Sequence, residues 1–190
     1  MPNAENVSFG KPKANGALYR APLGTTLPTD ATTTLSGAFI CLGYSSEDGL
    51  TNSNTATTQQ VKAWGGDVVA TTQTEKPDNF KFKLIEVMDV NVLKTVYHPD
   101  NVSGTLATGI TVRANSKEQE PYVWVADIAL TNNGMKRIVI PNGKIESVGD
   151  IVYKDNEITG YDISLLAMPG SDGDTHKEYI IRVTGATGST

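Results

Sequence analysis

Alternation of apolar and polar residues at a period of two is the feature that most limits the fold of this chain. Apolar side chains occupy every second position in three runs: Tyr122 to Leu130, Tyr161 to Ala167 and Tyr179 to Val183. This spacing places them on one face of a strand. Shorter predicted strands lie between the runs, at 136–140, 144–147 and 150–154, with turn-forming residues such as Pro141-Asn142-Gly143 between them. Regular short strands with such turns predict a mainly β fold, an antiparallel β-sandwich or barrel.

One strand and one helix are predicted in the middle of the chain. The residues that carry the two patterns are Phe80, Phe82 and Leu84 for the strand, and Val87, Val90, Leu93 and Tyr97 for the helix. The first set alternates, whereas the second follows helical spacing. Asp89 is placed to cap the helix and Pro99 to follow its end. We predict a flanking α-helix of about two and a half turns.

Two segments carry too few apolar residues to build a core. Residues 1–36 contain scattered Pro and Gly without a clear period, so we predict an N-terminal arm that is disordered or orders against another surface, followed by a single domain over 37–190. Residues 45–58 are rich in Ser, Asn and Thr and are predicted to form a long loop. A predicted hairpin comes next, with strands at 59–64 and 67–72 around Gly65-Gly66.

The charge balance argues against a protein that holds nucleic acid by its phosphates. The chain has 16 basic and 21 acidic residues, a net charge of −5, whereas such proteins usually carry a basic surplus. Mild acidity is compatible with a surface past which DNA moves. No apolar run approaches the roughly 18 residues of a membrane helix. Residues 1–10 lack the features of a secretion signal, so we expect a cytoplasmic protein without a membrane partner.

No group of residues has the spacing of a catalytic, cofactor or metal site. Cys41 is the single cysteine, which excludes an internal disulfide and a multi-cysteine zinc site, and its apolar neighbours predict a small buried side chain. His98 follows the helix. His176 lies among Asp172, Asp174 and Glu178, which lack the full calcium-loop pattern. We predict that the chain is not an enzyme and uses no cofactor or metal.

Two motifs near the N-terminus resemble a known family. Residues 21–31 read APLGTTLPTDA and residues 42–50 read LGYSSEDGL. Both resemble segments of the major tail tube proteins of long-tailed, non-contractile bacteriophages. The sequence AWGGD at 63–67 and the strand and helix over 82–97 are similar to later parts of that family. The likeness covers about residues 8–102, and the second half is similar only as a run of strands.

The resemblance implies a β-sandwich with one flanking helix, whose copies form hexameric rings that stack into a tube and conduct DNA from capsid to host. It implies tail terminator, tape measure and baseplate proteins as partners, and a place in the virion tail after assembly in the host cytoplasm. Loops and arms bridge neighbouring copies in this family, so the loop at 45–58 is expected to serve stacking and not folding. Our candidates for contacts between copies are Tyr19, Glu47, Asp48, Leu50 and Trp64.

Two other functions stay open at this point. The tube protein of a contractile injection system shares the fold, so the fold alone does not separate the two. A secreted carbohydrate-binding or adhesive β-sandwich shares the fold class, although the missing secretion signal argues against it.

Overall fold

The structure, a computed structural model, describes residues 1–14 and 16–182. The strands of this part are β1 (Gly10–Pro12), β2 (Leu18–Pro22), β3 (Ile40–Cys41), β4 (Ser45–Ser53), β5 (Thr57–Lys62), β6 (Val68–Glu75), β7 (Asp78–Leu84), β8 (Val102–Thr105), β9 (Gly109–Val112), β10 (Tyr122–Leu130), β11 (Gly134–Val148), β12 (Tyr161–Ala167) and β13 (Lys177–Arg182). The helices are α1 (Val90–Tyr97) and two short 3-10 turns, Ala4–Asn6 and Pro99–Asn101. Val183, which ends the last predicted strand, lies outside the described residues.

Nine of these strands form one antiparallel sheet. Seven of the nine follow one another in the order β3-β2-β10-β11-β12-β7-β4, and β1 and β13 pair at its sides. β1 adds to the C-terminal half of β10, and β13 adds to the N-terminal half of β11. Strands β5 and β6 form a separate hairpin, as do β8 and β9. The mainly β, antiparallel fold with one α-helix confirms the predicted fold class.

The large sheet folds over on itself and encloses the core. Phe82 on β7 and Trp124 on β10 have ring centroids 5.8 Å apart, although β11 and β12 lie between them in the sheet. In a flat sheet, three strand spacings would separate them by about 14 Å. The two halves therefore face each other as the layers of a sandwich. Side chains from both layers and from α1 fill the space, among them Leu42, Phe80, Leu84, Val92, Leu93, Ile140, Ile163 and Leu165.

Strand β11 joins the two layers. We predicted two strands with a turn at Pro141-Asn142-Gly143, and this was wrong, because β11 runs unbroken from Gly134 to Val148. Pro141 and Asn142 fall in an irregularity of the pairing with β10, between Ile140 and Gly143. A bulge tolerates proline because its residue needs no ladder N–H, and bulges bend strands between layers. The N-terminal half of β11 accordingly pairs with β13, and the C-terminal half with β12.

The helix α1 forms as predicted and covers one part of the core. The Asp89 carboxylate accepts hydrogen bonds from the backbone N–H groups of Asn91 (2.7 Å) and Val92 (3.0 Å), which caps the first turn. The Arg20 guanidinium donates from Nε to Thr95 Oγ1 at 2.6 Å, so β2 is tied to the helix.

The N-terminal segment is in part built into the sheet of its own chain. Strand β2 (Leu18–Pro22) lies between β3 and β10, so this part of the predicted arm is ordered within the sheet of its own chain. Residues 23–36, called the strap below, cross the outer face of this layer. Arg137 Nη1 donates to the carbonyl oxygens of Asp30 (3.1 Å) and Thr33 (2.8 Å), and Ala31 is buried. The division of the chain into an arm over 1–36 and a domain over 37–190 stays a prediction.

Two further predictions were wrong at the element level. The predicted loop at 45–58 is mostly strand β4, whose Ser, Thr and Asn side chains suit an edge strand that is covered on one face. The predicted strand at 150–154 is irregular, apart from a single bridge between Lys154 and Glu157. The predicted hairpin with Gly65-Gly66 at its turn is present as β5 and β6.

Candidate assembly surfaces

The β5–β6 hairpin stands away from the rest of the domain. Among the described residues, its strands pair with each other and with no other strand, and every residue from 54 to 77 is exposed. A lone two-stranded hairpin is marginally stable in water, because it buries almost no apolar surface. Four of its exposed side chains are large and apolar: Val61, Trp64, Val68 and Val69. We therefore interpret the hairpin as a surface that binds another molecule and becomes buried there.

The outer edges of the hairpin carry little protection against pairing with other strands, apart from Lys62 and Glu75 at the strand ends and a bulge near each end of β5. Natural edge strands carry charges, prolines or bulges that prevent such pairing. Residues 49–61 and 68–74 contain no charged residue and no proline, and they are rich in Thr, Val and Gln. Irregularities in the pairing occur only near Thr57 and Lys62, at the two ends of β5. Its backbone groups are thus available to another strand.

The tip of the hairpin presents Trp64 to solvent. Gly65 and Gly66 adopt φ values of 113° and 99°, a region that residues with a side chain rarely adopt. The N–H of Ala63 donates to Asp67 O at 2.8 Å and closes the turn. The Trp64 side chain is fully exposed, which is unusual for so large an apolar group.

A bulge at the start of β4 holds two of the candidate residues. The register with β7 jumps from Ser45↔Leu84 to Leu50↔Phe82, so four residues loop out between the paired positions. Glu47 and Asp48 in this bulge are exposed, and Ser46 Oγ donates to Asp48 Oδ2 at 3.0 Å. Leu50, in contrast, packs against the core of its own chain. The structure thus gives no support to Leu50 as an anchor in a neighbouring copy.

The outer face of the layer formed by β4, β7, β12 and the C-terminal part of β11 is open and polar. A shallow groove of about 390 Å³ lies on this face. Its charged side chains are two lysines and two aspartates: Lys81, Lys83, Asp48 and Asp162. Lys83 Nζ lies 3.7 Å from Asp162 Oδ2, so at least one lysine is neutralised locally. The groove therefore carries charges of both signs in equal number.

The outer face of the other layer is closed. Val123, Val125 and Val139 are buried there outside the main core. Tyr19 lies in this layer, half-buried on β2, and its hydroxyl donates to Gly16 O at 3.3 Å. Burial raises the pKa of the Tyr19 hydroxyl. The strap crosses this face, so the two outer faces of the sandwich differ in exposure and polarity.

The structure brings only some of the five candidate residues together. Glu47 and Asp48 share the β4 bulge, and Trp64 lies at the end of the hairpin that follows β4. Tyr19 lies near the other end of the sheet order. The buried pair of Asp127 and Arg137 was not predicted from the sequence. A signal for it existed, because a turn at 131–133 aligns positions 127 and 137 across β10 and β11.

The histidines and the acidic segment near His176 have structural partners. His176 Nδ1 lies 2.5 Å from the buried Asp78 Oδ2, which also accepts from Thr175 Oγ1 at 2.6 Å. Lys177 pairs with Asp172 in the same segment. His98 is buried at the helix end, and its Nδ1 accepts the N–H of Asp100 at 3.2 Å. Within residues 1–14 and 16–182, no three His, Cys, Asp or Glu side chains are arranged to hold a metal ion.

The family model described as phage tail tube protein matches residues 5–185. The chain belongs to the phage tail tube protein family. The match extends the resemblance seen over residues 8–102 through the strand-rich second half of this tail tube protein. Its role is structural, in the tail of a bacteriophage virion, and the family is not a class of enzymes.

No curated protein matches this tail tube protein. In the part of the chain that the structure describes, no helix is long and apolar enough to cross a bilayer.

Proposed function

We propose that this tail tube protein assembles into closed, hexameric rings that stack into a tube, through which DNA passes from the capsid to the host. The observation that carries the proposal is the β5–β6 hairpin, a long and fully exposed element whose strands pair with no other strand of the described residues. A head-to-tail contact between identical copies that repeats without closing into a ring generates a tube or filament. The second copy of the chain is the occupant that the family implies.

The hairpin is proposed as the contact between successive rings. Each strand has up to eight residues, so the hairpin reaches about 26 Å from its base. Its weakly protected edges offer main-chain hydrogen bonds, and Trp64 offers an apolar anchor at the tip. This assignment replaces the predicted role of the loop at 45–58, since most of those residues belong to β4.

Shortening the hairpin tests this role. Strands β4 and β7 already pair at Ser53↔Asn79, so a short Gly-Ser turn can replace residues 56–75 without reopening the sheet. We expect thermal melting close to that of the wild type, because the removed residues are exposed. We expect rings or single subunits by negative-stain electron microscopy, with no tubes. Full-length tubes from this variant would contradict the proposal.

A point variant makes the same test without a change in chain length. Trp64→Ala should lower the amount of tube at a given protein concentration. Tyr153→Ala is the matched control, because Tyr153 is also an exposed aromatic residue but lies outside the hairpin. An equal loss of tubes in both variants would show that exposed aromatic area in general, and not the hairpin, drives association.

The open polar face of β4, β7, β12 and β11 is proposed as the wall of the DNA channel. Its two lysines and two aspartates leave no surplus positive charge to hold phosphates. The opposite outer face is crossed by the strap and is proposed to face away from the channel. Terminator, tape measure and baseplate proteins are proposed partners at the tube ends, with assembly in the host cytoplasm before incorporation into the virion tail.

A further inference from the structure

A second hairpin, β8–β9, also projects from the domain. Every residue from 103 to 109 is exposed, and Leu106 at the tip exposes 66% of its surface. No residue from 101 to 112 is charged, in a chain where 19% of residues are. The hairpin contacts α1 at its base, and its strands pair with no other strand of the described residues. It thus shares with β5–β6 an exposed apolar tip and edges with little protection.

The base of this hairpin is held by a dense set of hydrogen bonds. Asn101 and Asn115 exchange two amide hydrogen bonds of 2.9 Å, and Asn101 also donates to Tyr97 O at 2.8 Å. The backbone N–H of Arg113 donates to Asn101 O at 2.9 Å, and its Nη2 donates to Asp100 O at 2.8 Å. Both ends of the hairpin are therefore fixed to the end of α1.

His98 at the base of the hairpin and Gly104 near its turn both have a positive φ. His98 has φ 78° and ψ 140°, a combination that is rare for residues other than glycine. Gly104 has φ 88°, and a Cβ there would lie 2.0 Å from Gly109 O, so the hairpin requires glycine at this position. The strain at His98 persists only where the surrounding structure determines it, which indicates that the base of this hairpin is closely set.

A tube requires two kinds of contact between copies, one within a ring and one between rings. The long β5–β6 hairpin supplies the second kind in the proposed function. A ring closes only if the rotation between neighbouring copies is fixed, and the short, firmly held β8–β9 hairpin suits that task. We infer that the β8–β9 hairpin docks on a second copy of this chain through Leu106 and provides the contact that closes the ring. The inference rests on the proposed function.

The test is Leu106→Asp, with Ile158→Asp as the matched control. Ile158 has an exposure of 68%, close to that of Leu106, but lies outside both hairpins. A charge placed in a desolvated contact should raise the protein concentration needed for rings by at least about tenfold. The control should form rings as the wild type does, and both variants should melt like the wild type because the two positions are exposed. Leu106→Ala, a smaller change, should give an intermediate effect.

The two hairpins should fail at different steps. Leu106→Asp should remain as subunits by sedimentation and microscopy, whereas Trp64→Ala should form rings that do not stack. Rings of Leu106→Asp at the wild-type concentration would overturn the inference, and so would rings that form but fail to stack. If the wild type itself forms neither rings nor tubes, the proposed function fails, and that outcome is distinct from the others.

Discussion

Arg137 shows how one residue joins several parts of the chain. Only 1% of its surface is exposed, and it forms two hydrogen bonds with Asp127, from Nε at 2.6 Å and from Nη2 at 2.8 Å. Its remaining nitrogen donates to two carbonyl oxygens of the strap. The hydrogen bonds to Asp127 raise the pKa of Arg137 above its ordinary value. A buried charge that is satisfied in this way fixes the strap to the sheet.

Substitution of Arg137 by Met should be costly. It leaves the Asp127 carboxylate buried with Lys13 as its remaining ion-pair partner, at 3.3 Å. Breaking a buried pair by removing one partner costs about 3–5 kcal/mol, so we expect a loss of that size in the free energy of unfolding in urea. Lys154→Met, which removes an exposed ion pair with Glu157, should cause no measurable change. Faster proteolysis within residues 23–36 should accompany the Arg137 variant only.

Asp78 makes the free energy of unfolding depend on pH in the acidic range. Burial opposes the ionisation of Asp78, but hydrogen bonds from Thr175, Asn52 and His176 outweigh it and lower the pKa of the carboxyl below 3.8. The folded state then binds fewer protons than the unfolded state at that group, so the stabilisation is present above the ordinary pKa. It is lost as the pH falls through the lowered pKa of the folded state.

The measurement is urea unfolding as a function of pH for the wild type and Asp78→Asn. The difference in unfolding free energy should be greatest above about pH 5 and shrink towards lower pH. Thr175→Val keeps the carboxylate but removes one of its donors, so the pKa of Asp78 should be less depressed. The loss of stability on acidification should then be smaller and be complete at a higher pH than in the wild type. A difference between wild type and Asp78→Asn that does not vary with pH would contradict this account.

At the scale of elements, the helix α1 depends on its cap. It has only eight residues, too few to be stable alone, and packing plus capping must hold it. Asp89→Ala removes the acceptor for two backbone N–H groups and should lower the unfolding free energy by about 1 kcal/mol. Asp89→Ser retains an oxygen that can accept these bonds and should recover most of the loss. Equal stabilities of the Ala and Ser variants would show that packing alone sets the helix.

Strand β11 shows the same dependence on context in a sheet. Its Pro-Asn-Gly sequence is typical of a turn, yet β10 pairs with β11 on both sides of the irregularity. On the other edge of β11, β13 pairs up to Val139 and β12 from Gly143 onwards. The pairing with β10 outweighs the local turn preference, since many ladder hydrogen bonds compete with one turn. The result is a bend, and this bend places β10 and β12 in different layers.

The whole molecule presents two unlike outer faces, and their difference bears on DNA passage. Assembled wild-type tubes should not retain duplex DNA at about 150 mM salt, because the lysines of the groove are balanced by Asp48 and Asp162. The double variant Asp48→Asn, Asp162→Asn leaves Lys81 and Lys83 without that balance. We expect its tubes to bind duplex DNA in cosedimentation, with affinity that falls as salt rises.

A control variant separates the effect of charges in the groove from the effect of the net charge of the chain. Asp155→Asn with Asp174→Asn changes the net charge by the same amount at exposed positions outside the groove. These tubes should not bind DNA. Equal binding by the two double variants would place the effect in net charge and remove the groove from the mechanism.

Local patterns in the sequence determined the regular elements of this protein. The alternation in β7, β10 and β12, the capped helix and the Gly-Gly hairpin were all predicted, because each depends on residues that are close in sequence. The motifs around residues 21–31 and 42–50 also indicated the family, which the match over residues 5–185 confirms. The place of Trp64 at a hairpin turn also follows from its neighbours, whereas its contact with another copy stays a prediction.

Tertiary structure alone decided the roles of the polar segments. Residues 45–53 become a strand because β7 offers a free edge, and Leu18–Pro22 becomes a strand because β10 does. Neither sequence has enough apolar area to form a strand alone, so a long-range partner must supply the hydrogen bonds. Asp127 and Arg137 are ordinary surface residues by composition, and only the strap that crosses them makes them a buried pair. Contacts between residues that are distant in sequence thus set which surfaces stay open for assembly.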